Sequence, residues 1–257
     1  HGDIFMIGGY LAFYAVTTFF MPWWVAVAVA IGLTTIYGIG LERAAYRPLR
    51  DSPRISIMIS AIGASFLIEN LAIVLFDARP KAFPVPEFFA RNLVVEGVHI
   101  ASVSLIIPLV TAVALAVLLW IVYRTRVGMA MRAVSTDIDA ARLMAIDVNK
   151  IVSITFAIGS ALAAVGGIMW AMKYPRLEPL MGIMPGLKCF IAAVIGGIGS
   201  IAGAVLGGLL LGIIELMTIA FLPEFTGYKD AFAFILLIVV LLVKPTGLLG
   251  KNQGEKV

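Results

Sequence analysis

Seven apolar stretches, each long enough or nearly so to cross a bilayer, recur along this chain. They run roughly over Ile4–Phe20, Trp23–Ile39, Ile55–Phe76, Val103–Tyr123, Ile151–Met172, Ile201–Leu222 and Ala231–Val243. A hydrocarbon layer about 30 Å thick is spanned by about 20 residues of α-helix. Lipid offers no partner to a backbone N–H or C=O, so a crossing segment must satisfy its own, as a helix does. A transmembrane barrel would instead show alternating strands of about 10 residues, a pattern this sequence lacks. An eighth stretch, Gly186–Ile198, is short and glycine-rich and reads as a brief helix or a re-entrant element. The expected fold is therefore all-α: a polytopic transmembrane helix bundle of about eight segments, one of them short or re-entrant. Composition agrees. Of 257 residues, 61% are hydrophobic and only 13% charged, against about 45–50% and about 25% in soluble domains.

Orientation follows from the loops. Leu41–Arg54 carries Arg43, Arg47, Arg50 and Arg54 against Glu42 and Asp51, and Arg124–Lys150 carries Arg124, Arg126, Arg132, Arg142 and Lys150. Two spans separate these segments, which puts both on one face, and the excess of Lys and Arg makes that face cytoplasmic. The tail, with Lys244, Lys251 and Lys256, belongs on the same side, which requires Gly186–Leu222 to cross twice or form a hairpin. The net charge of +4 is accounted for by such loops and implies no nucleic-acid partner. The opposite loop, Asp77–Ser102, holds Pro80, Pro84 and Pro86 among Phe83, Phe88 and Phe89, and reads as a small ordered cap. Trp23 and Trp24 are placed at the outer interface, where amphipathic rings favour the headgroup level.

Small residues are dense in the second half. Gly159, Ala163 and Gly167 recur at spacing four, as do Gly203, Gly207 and Leu211, with Gly208 and Gly212 beside them. Such stripes let helix backbones approach closely.

No catalytic constellation is present. Gly247–Asn252 reads GLLGKN and lacks the Walker A spacing, and Gly196–Ser200 has no strand-turn-helix context for a dinucleotide. HExxH and GxSxG are absent. His1 and His99 are too few and too far apart to form a metal cluster, and the lone Cys189, inside an apolar run, reads as a small buried side chain. Glu69 and Glu215 do stand inside apolar spans. An ionised group at the bilayer centre costs at least about 2.5–3.5 kcal/mol, so each needs a partner, a wet cavity or a shallow position. Glu69, its neighbour Asn70 and Glu215 are the candidates for a translocation path or for polar groups of the bundle interior. Lys188 is placed near an outer helix end, where it snorkels.

The longest polar segment between spans, Thr125–Lys150, is read as an amphipathic helical loop. Val134, Ile138, Ala141, Ala145 and Ile146 form its apolar face, with Asp137, Asp139, Arg142 and Asp147 elsewhere. Its acidic polar face suits a protein partner better than anionic lipid.

Six stretches in order bring a family into view. They are His1–Tyr10 (HGDIFMIGGY), Glu42–Arg50 (ERAAYRPLR), Ile59–Ser65 (ISAIGAS), Ala140–Met144 (AARLM), Ala192–Ala204 (AAVIGGIGSIAGA) and Lys244–Gly250 (KPTGLLG). Over essentially its whole length the chain resembles the LivH-type permease of the branched-chain amino acid ABC transporters. The resemblance implies a single permease domain over residues 1–257, incomplete at its N-terminus because the family has a further helix before the position of His1. It implies that 124–150 is a cytoplasmic coupling loop seated on an ATPase subunit, with Asp137, Asp139, Ala140, Ala141, Arg142 and Ala145 as its contact residues. Ala145 stands where the family pattern usually has glycine. The implied partners are ATP-binding cassette subunits, which bind the ATP, a second homologous permease, an extracytoplasmic amino-acid-binding protein and the lipid bilayer. No cofactor is implied for the chain itself. The implied location is the bacterial cytoplasmic (inner) membrane, and the implied mechanism is ATP-driven alternating access. The rival reading is a proton-coupled secondary transporter with Glu69 or Glu215 as carrier.

Overall fold

The computed structural model describes residues 1–49, 52–90, 92–95 and 98–250. Arg50, Asp51, Lys251 and Lys256, counted above for orientation, and Asn252 of the GLLGKN stretch lie outside the described residues. The chain divides into two compact units, 1–182 and 183–257.

The first unit is built from α1 (Gly2–Thr17), α2 (Trp23–Leu41) and α3 (Arg54–Phe76), then β1 (Lys81–Ala82), α4 (Glu87–Ala90), β2 (Asn92–Val95) and β3 (Val98–Ala101). It continues through α5 (Ser102–Arg124), α6 (Arg126–Thr136), α7 (Ile138–Leu143), α8 (Val148–Lys173) and β4 (Arg176–Leu177). A π-helical turn, Glu42–Tyr46, and a 3-10 turn, Arg47–Leu49, extend α2. The second unit holds α9 (Ile183–Gly196), α10 (Ile201–Phe221), a 3-10 stretch, Pro223–Tyr228, and α11 (Lys229–Val243). Among the described residues, six stretches can cross a membrane by length and composition, and α1 and α9 are shorter apolar helices. The expected total of about eight segments is reached only with those two included.

The helices start where the chain chemistry allows. Pro22 and Pro53, both extended, precede the first residues of α2 and α3, positions where a missing N–H is harmless. Pro108 sits inside α5 without ending it, since a membrane helix can re-satisfy the freed carbonyl locally.

In the first unit α8 is the helix on which α1 and α2 pack. A Cβ at Gly167 would overlap the Phe5 carbonyl, one at Gly38 would overlap Ser160, and one at Gly8 would meet the Ala164 backbone at 2.6 Å. Backbone fills the space at Gly167 and Gly8, and the Ser160 side chain fills it at Gly38, so the helices approach closely. The buried stripe on α8 is Ser160, Ala164, Gly167, Ile168 and Ala171. Gly159 and Ala163, expected on it, lie to one side, Gly159 against the His1 ring. The reason is geometric: a strict spacing of four runs obliquely across a helix of 3.6 residues per turn, and the contact face alternates steps of four and three.

At the end away from the basic loops, the expected cap between Asp77 and Ser102 forms. The β2–β3 hairpin pairs Asn92 with Ala101, and β1 pairs antiparallel with β4, Lys81 opposite Leu177. Trp23 packs against Phe83 and Phe89 at ring-centroid distances of 5.8 and 6.1 Å, while Trp24 stays exposed. The Lys81 ammonium donates to the Tyr14 hydroxyl at 2.6 Å, and Tyr10 stacks on Phe76 at 4.4 Å. The first contacts fasten the cap to α2 and α1, and the last joins α1 to α3.

In the second unit α9 and α10 form a tight hairpin. A Cβ at Gly203 would overlap the Gly196 carbonyl, and one at Gly207 the Ala192 carbonyl, whereas Gly212 meets nothing within 4 Å. The hairpin turn uses Gly197 and Gly199 at φ of +106° and +90°, a region costly to side chains. The segment after α11 returns to this turn. Leu248 and Leu249 N–H donate to the carbonyls of Ile195 and Gly196, both at 2.9 Å, satisfying the orphan acceptors at the end of α9. Gly186–Leu222, expected to cross twice or form a hairpin, folds as the α9–α10 hairpin. Cys189, expected to be buried, is exposed on α9. Cys189 and Phe190 face outward there, while Ile191 and Ala192 of the same run are buried.

Candidate functional site

The segment between α5 and α8, expected to be an amphipathic helical loop, folds as two helices. Thr125 ends α5 and starts α6, its hydroxyl accepting from Gly128 N–H at 3.1 Å and donating to the Ile121 carbonyl at 2.5 Å. Only glycine fits at 128, because a Cβ would overlap the Ile121 and Val122 carbonyls. Asp137 then breaks the helix. Its backbone is extended, at φ −155°, and its carboxylate accepts from the N–H groups of Asp139 and Ala140 at 3.0 and 3.1 Å. That is the N-cap geometry that short polar side chains favour.

The far end of α7 is equally defined. Ile146 N–H donates to the Ala141 carbonyl and Ala145 N–H to the Arg142 carbonyl, both at 3.1 Å, with Ala145 at φ +58°. This pair of bonds is the Schellman closure, whose left-handed residue is usually glycine. Asp147 follows at once, accepting from Lys150 N–H at 3.1 Å to cap α8. The Arg142–Asp139 pair, 3.6 Å apart and exposed, adds at most about 1 kcal/mol. Caps, not ion pairs, shape the loop.

The consequence is a short rigid helix with a changed apolar face. Ala141 is buried, Val134 and Ile146 are half-buried, but Ile138 and Ala145 are exposed. Leu143 and Met144, absent from the expected face, are the most open apolar groups of the segment at 88% and 78%. The phase was lost at Asp137, because a break resets the helical period on which the expected apolar face relied.

The two acids have different surroundings and belong to different units. On α3 Ser65 donates to Asp3 Oδ2 at 2.6 Å, and half-buried Glu69 follows one turn later on the same side. Asn70 is exposed and gives its amide N–H to the Phe66 carbonyl at 2.7 Å. Glu215 on α10 is paired: Lys188 Nζ on α9 lies 2.8 Å from Glu215 Oε1 and 2.7 Å from Asp230 Oδ1 on α11. Lys188 therefore ties three helices together, a role beyond the snorkelling expected of it. Among the described residues, no group of three or more His, Cys, Asp or Glu is arranged to hold a metal ion.

A family model described as the branched-chain amino acid transport system permease component matches residues 1–241. The chain belongs to that permease family. The high-affinity branched-chain amino acid transport system permease protein BraD of Pseudomonas aeruginosa is 42% identical over all of this chain and 87% of its own length. The corresponding LivH of Escherichia coli is 40% identical over all of this chain and 86% of its own. More distantly, the xylose transport system permease protein XylH of Escherichia coli is 31% identical over 45% of this chain. No solved structure matches. The permease is the membrane-spanning, multi-pass subunit of an ABC importer and not an enzyme. Membership of this family sets aside the proton-coupled rival.

Within the permease, the residues expected to couple, Asp137, Asp139, Ala140, Ala141, Arg142 and Ala145, all fall on α7 and its two caps. Glu69 and Asn70 belong to the first unit and Glu215 to the second. Sequence reasoning missed Asp3, Ser65, Lys188 and Asp230 as partners. One signal was available: a lysine and a glutamate in neighbouring apolar stretches suggest a pair.

Proposed function

We propose that this permease moves branched-chain amino acids across the cytoplasmic membrane of a bacterium by ATP-driven alternating access. The observation that carries the reading is the family match over residues 1–241. Its partners in this reading are two ATP-binding cassette subunits, a second homologous permease and an extracytoplasmic amino-acid-binding protein. α7 is the coupling helix. Leu143 and Met144, standing open at the C-terminal end of α7, supply apolar anchors for a groove on the ATPase, and Asp139 and Arg142 the polar rim. Exposed apolar knobs on a rigid short helix are what a helix-in-groove contact uses. Asp137, Ala140, Ala141 and Ala145 hold the helix in shape for it. Glu215 serves the bundle interior through Lys188, and Glu69 and Asn70 remain the candidates for the translocation path.

The test follows labelled leucine uptake by the complete system, comparing collapse of the proton gradient with depletion of ATP while the gradient is held. Uptake that survives the first treatment and stops with the second is the expected result. Uptake lost with the gradient alone would overturn the reading.

A further inference from the structure

Glu42 is fully buried at the end of α2, where the helix widens into the π turn Glu42–Tyr46. A carboxylate out of water is costly unless its oxygens are bonded, and π turns are frequent at functional positions. Ser153, within the first two turns of α8, donates to Glu42 Oε2 at 2.7 Å. One turn further, the Phe156 ring lies 5.2 Å from the ring of Tyr46. On the other side, Ser60 of α3 donates to the Ala45 carbonyl at 3.1 Å. The turn therefore grips α8 at two successive positions and α3 at a third.

The same start of α8 is where α7 is fastened. The Schellman closure at Ala141–Ile146 and the Asp147 cap leave no slack between the two helices. Between Asp147 and Ser153 there is neither glycine nor proline, so this stretch of helix moves as one piece. A displacement of α7 must reach Ser153.

We infer that Glu42 is a positioning residue of the coupling step, the point where movement of α7 passes from α8 into α2 and α3. This rests on the reading of α7 as the coupling helix. The Glu42–Ser153 bond aligns α2 with α8, and the π turn, already departed from the regular ladder, is where α2 can yield without breaking.

The experiment uses the complete importer in liposomes with its binding protein, measuring leucine accumulated per ATP hydrolysed. Ser153→Ala removes the donor with little steric change. Uptake per ATP should fall about tenfold, the scale of one lost hydrogen bond to a charged group, while hydrolysis itself stays within about twofold. Ser153→Thr, which keeps the hydroxyl, should restore the ratio, and Glu42→Gln, which keeps an acceptor, should fall between. An unchanged ratio in Ser153→Ala, or no rescue by threonine, would overturn the inference. Wild-type uptake that needs no ATP would overturn the importer reading and this one with it, and the wild-type arm alone separates the two failures.

Discussion

Lys188 Nζ lies 2.8 Å from Glu215 Oε1 and 2.7 Å from Asp230 Oδ1, so one ammonium on α9 serves carboxylates on both α10 and α11. The three side chains keep between 22% and 32% of their surface open, which places the cluster between a buried and a surface ion pair. Removing one partner of a buried pair costs about 3–5 kcal/mol, and an exposed pair contributes at most about 1 kcal/mol. Lys188→Met should therefore lose about 2 kcal/mol, read as a lower unfolding temperature in detergent. Adding Glu215→Gln and Asp230→Asn should recover part of it. An unchanged midpoint in the single variant would show that the cluster contributes nothing to stability.

Ala145→Gly should stabilise the loop. A left-handed conformation costs an L residue about 1–2 kcal/mol, and glycine returns about 0.5–1 kcal/mol of that through its freer unfolded chain. The net gain is about 0.5–1 kcal/mol, visible as slower amide exchange at Ile146 and through α7. Faster exchange in the variant would contradict the assigned conformation at φ +58°.

Gly167 and Gly212 make a matched pair. An added methyl at 167 meets the Phe5 carbonyl, and one at 212 meets nothing within 4 Å. Gly167→Ala should cost at least about 1–3 kcal/mol from forced separation of α1 and α8. Gly212→Ala should be neutral or gain up to about 1 kcal/mol from helix propensity. Thermal unfolding of the two side by side in detergent decides it, and equal effects would refute the close approach.

Gly247 stands at φ +77°, with the Gly197 backbone where its Cβ would lie. Gly247→Ala should release the Lys244–Gly250 segment from the hairpin turn. Amide exchange at Leu248 and Leu249 should become fast while the α10 interior stays protected. Continued protection at both leucines would mean the segment is held by something else.

The long apolar spans were legible in the sequence because the bilayer sets one length for all of them, and α5 and α10 were placed to within a residue or two. Contacts between segments far apart in the chain were not. Nothing local in Lys81–Ala82 announces pairing with Arg176–Leu177, because two-residue strands carry no period. Lys188 could be seen as a charge in an apolar run, but its two carboxylates depend on how three helices meet. Between α5 and α8 the helical character was legible, yet the break at Asp137 was not. An aspartate within a helical pattern reads as a surface position until its side chain is seen to take the next turn's N–H groups. Cys189 was misjudged by the same logic in reverse, since in lipid an apolar neighbourhood says nothing about burial.

The return of Leu248 and Leu249 to the end of α9 also sets an order of events during biosynthesis. The carbonyls of Ile195 and Gly196 enter the bilayer with the hairpin, but the N–H groups that satisfy them are translated only after α10 and α11. Until then the hairpin turn must be solvated by water or held by the insertion machinery, so this part of the permease is completed from its late-made end backwards.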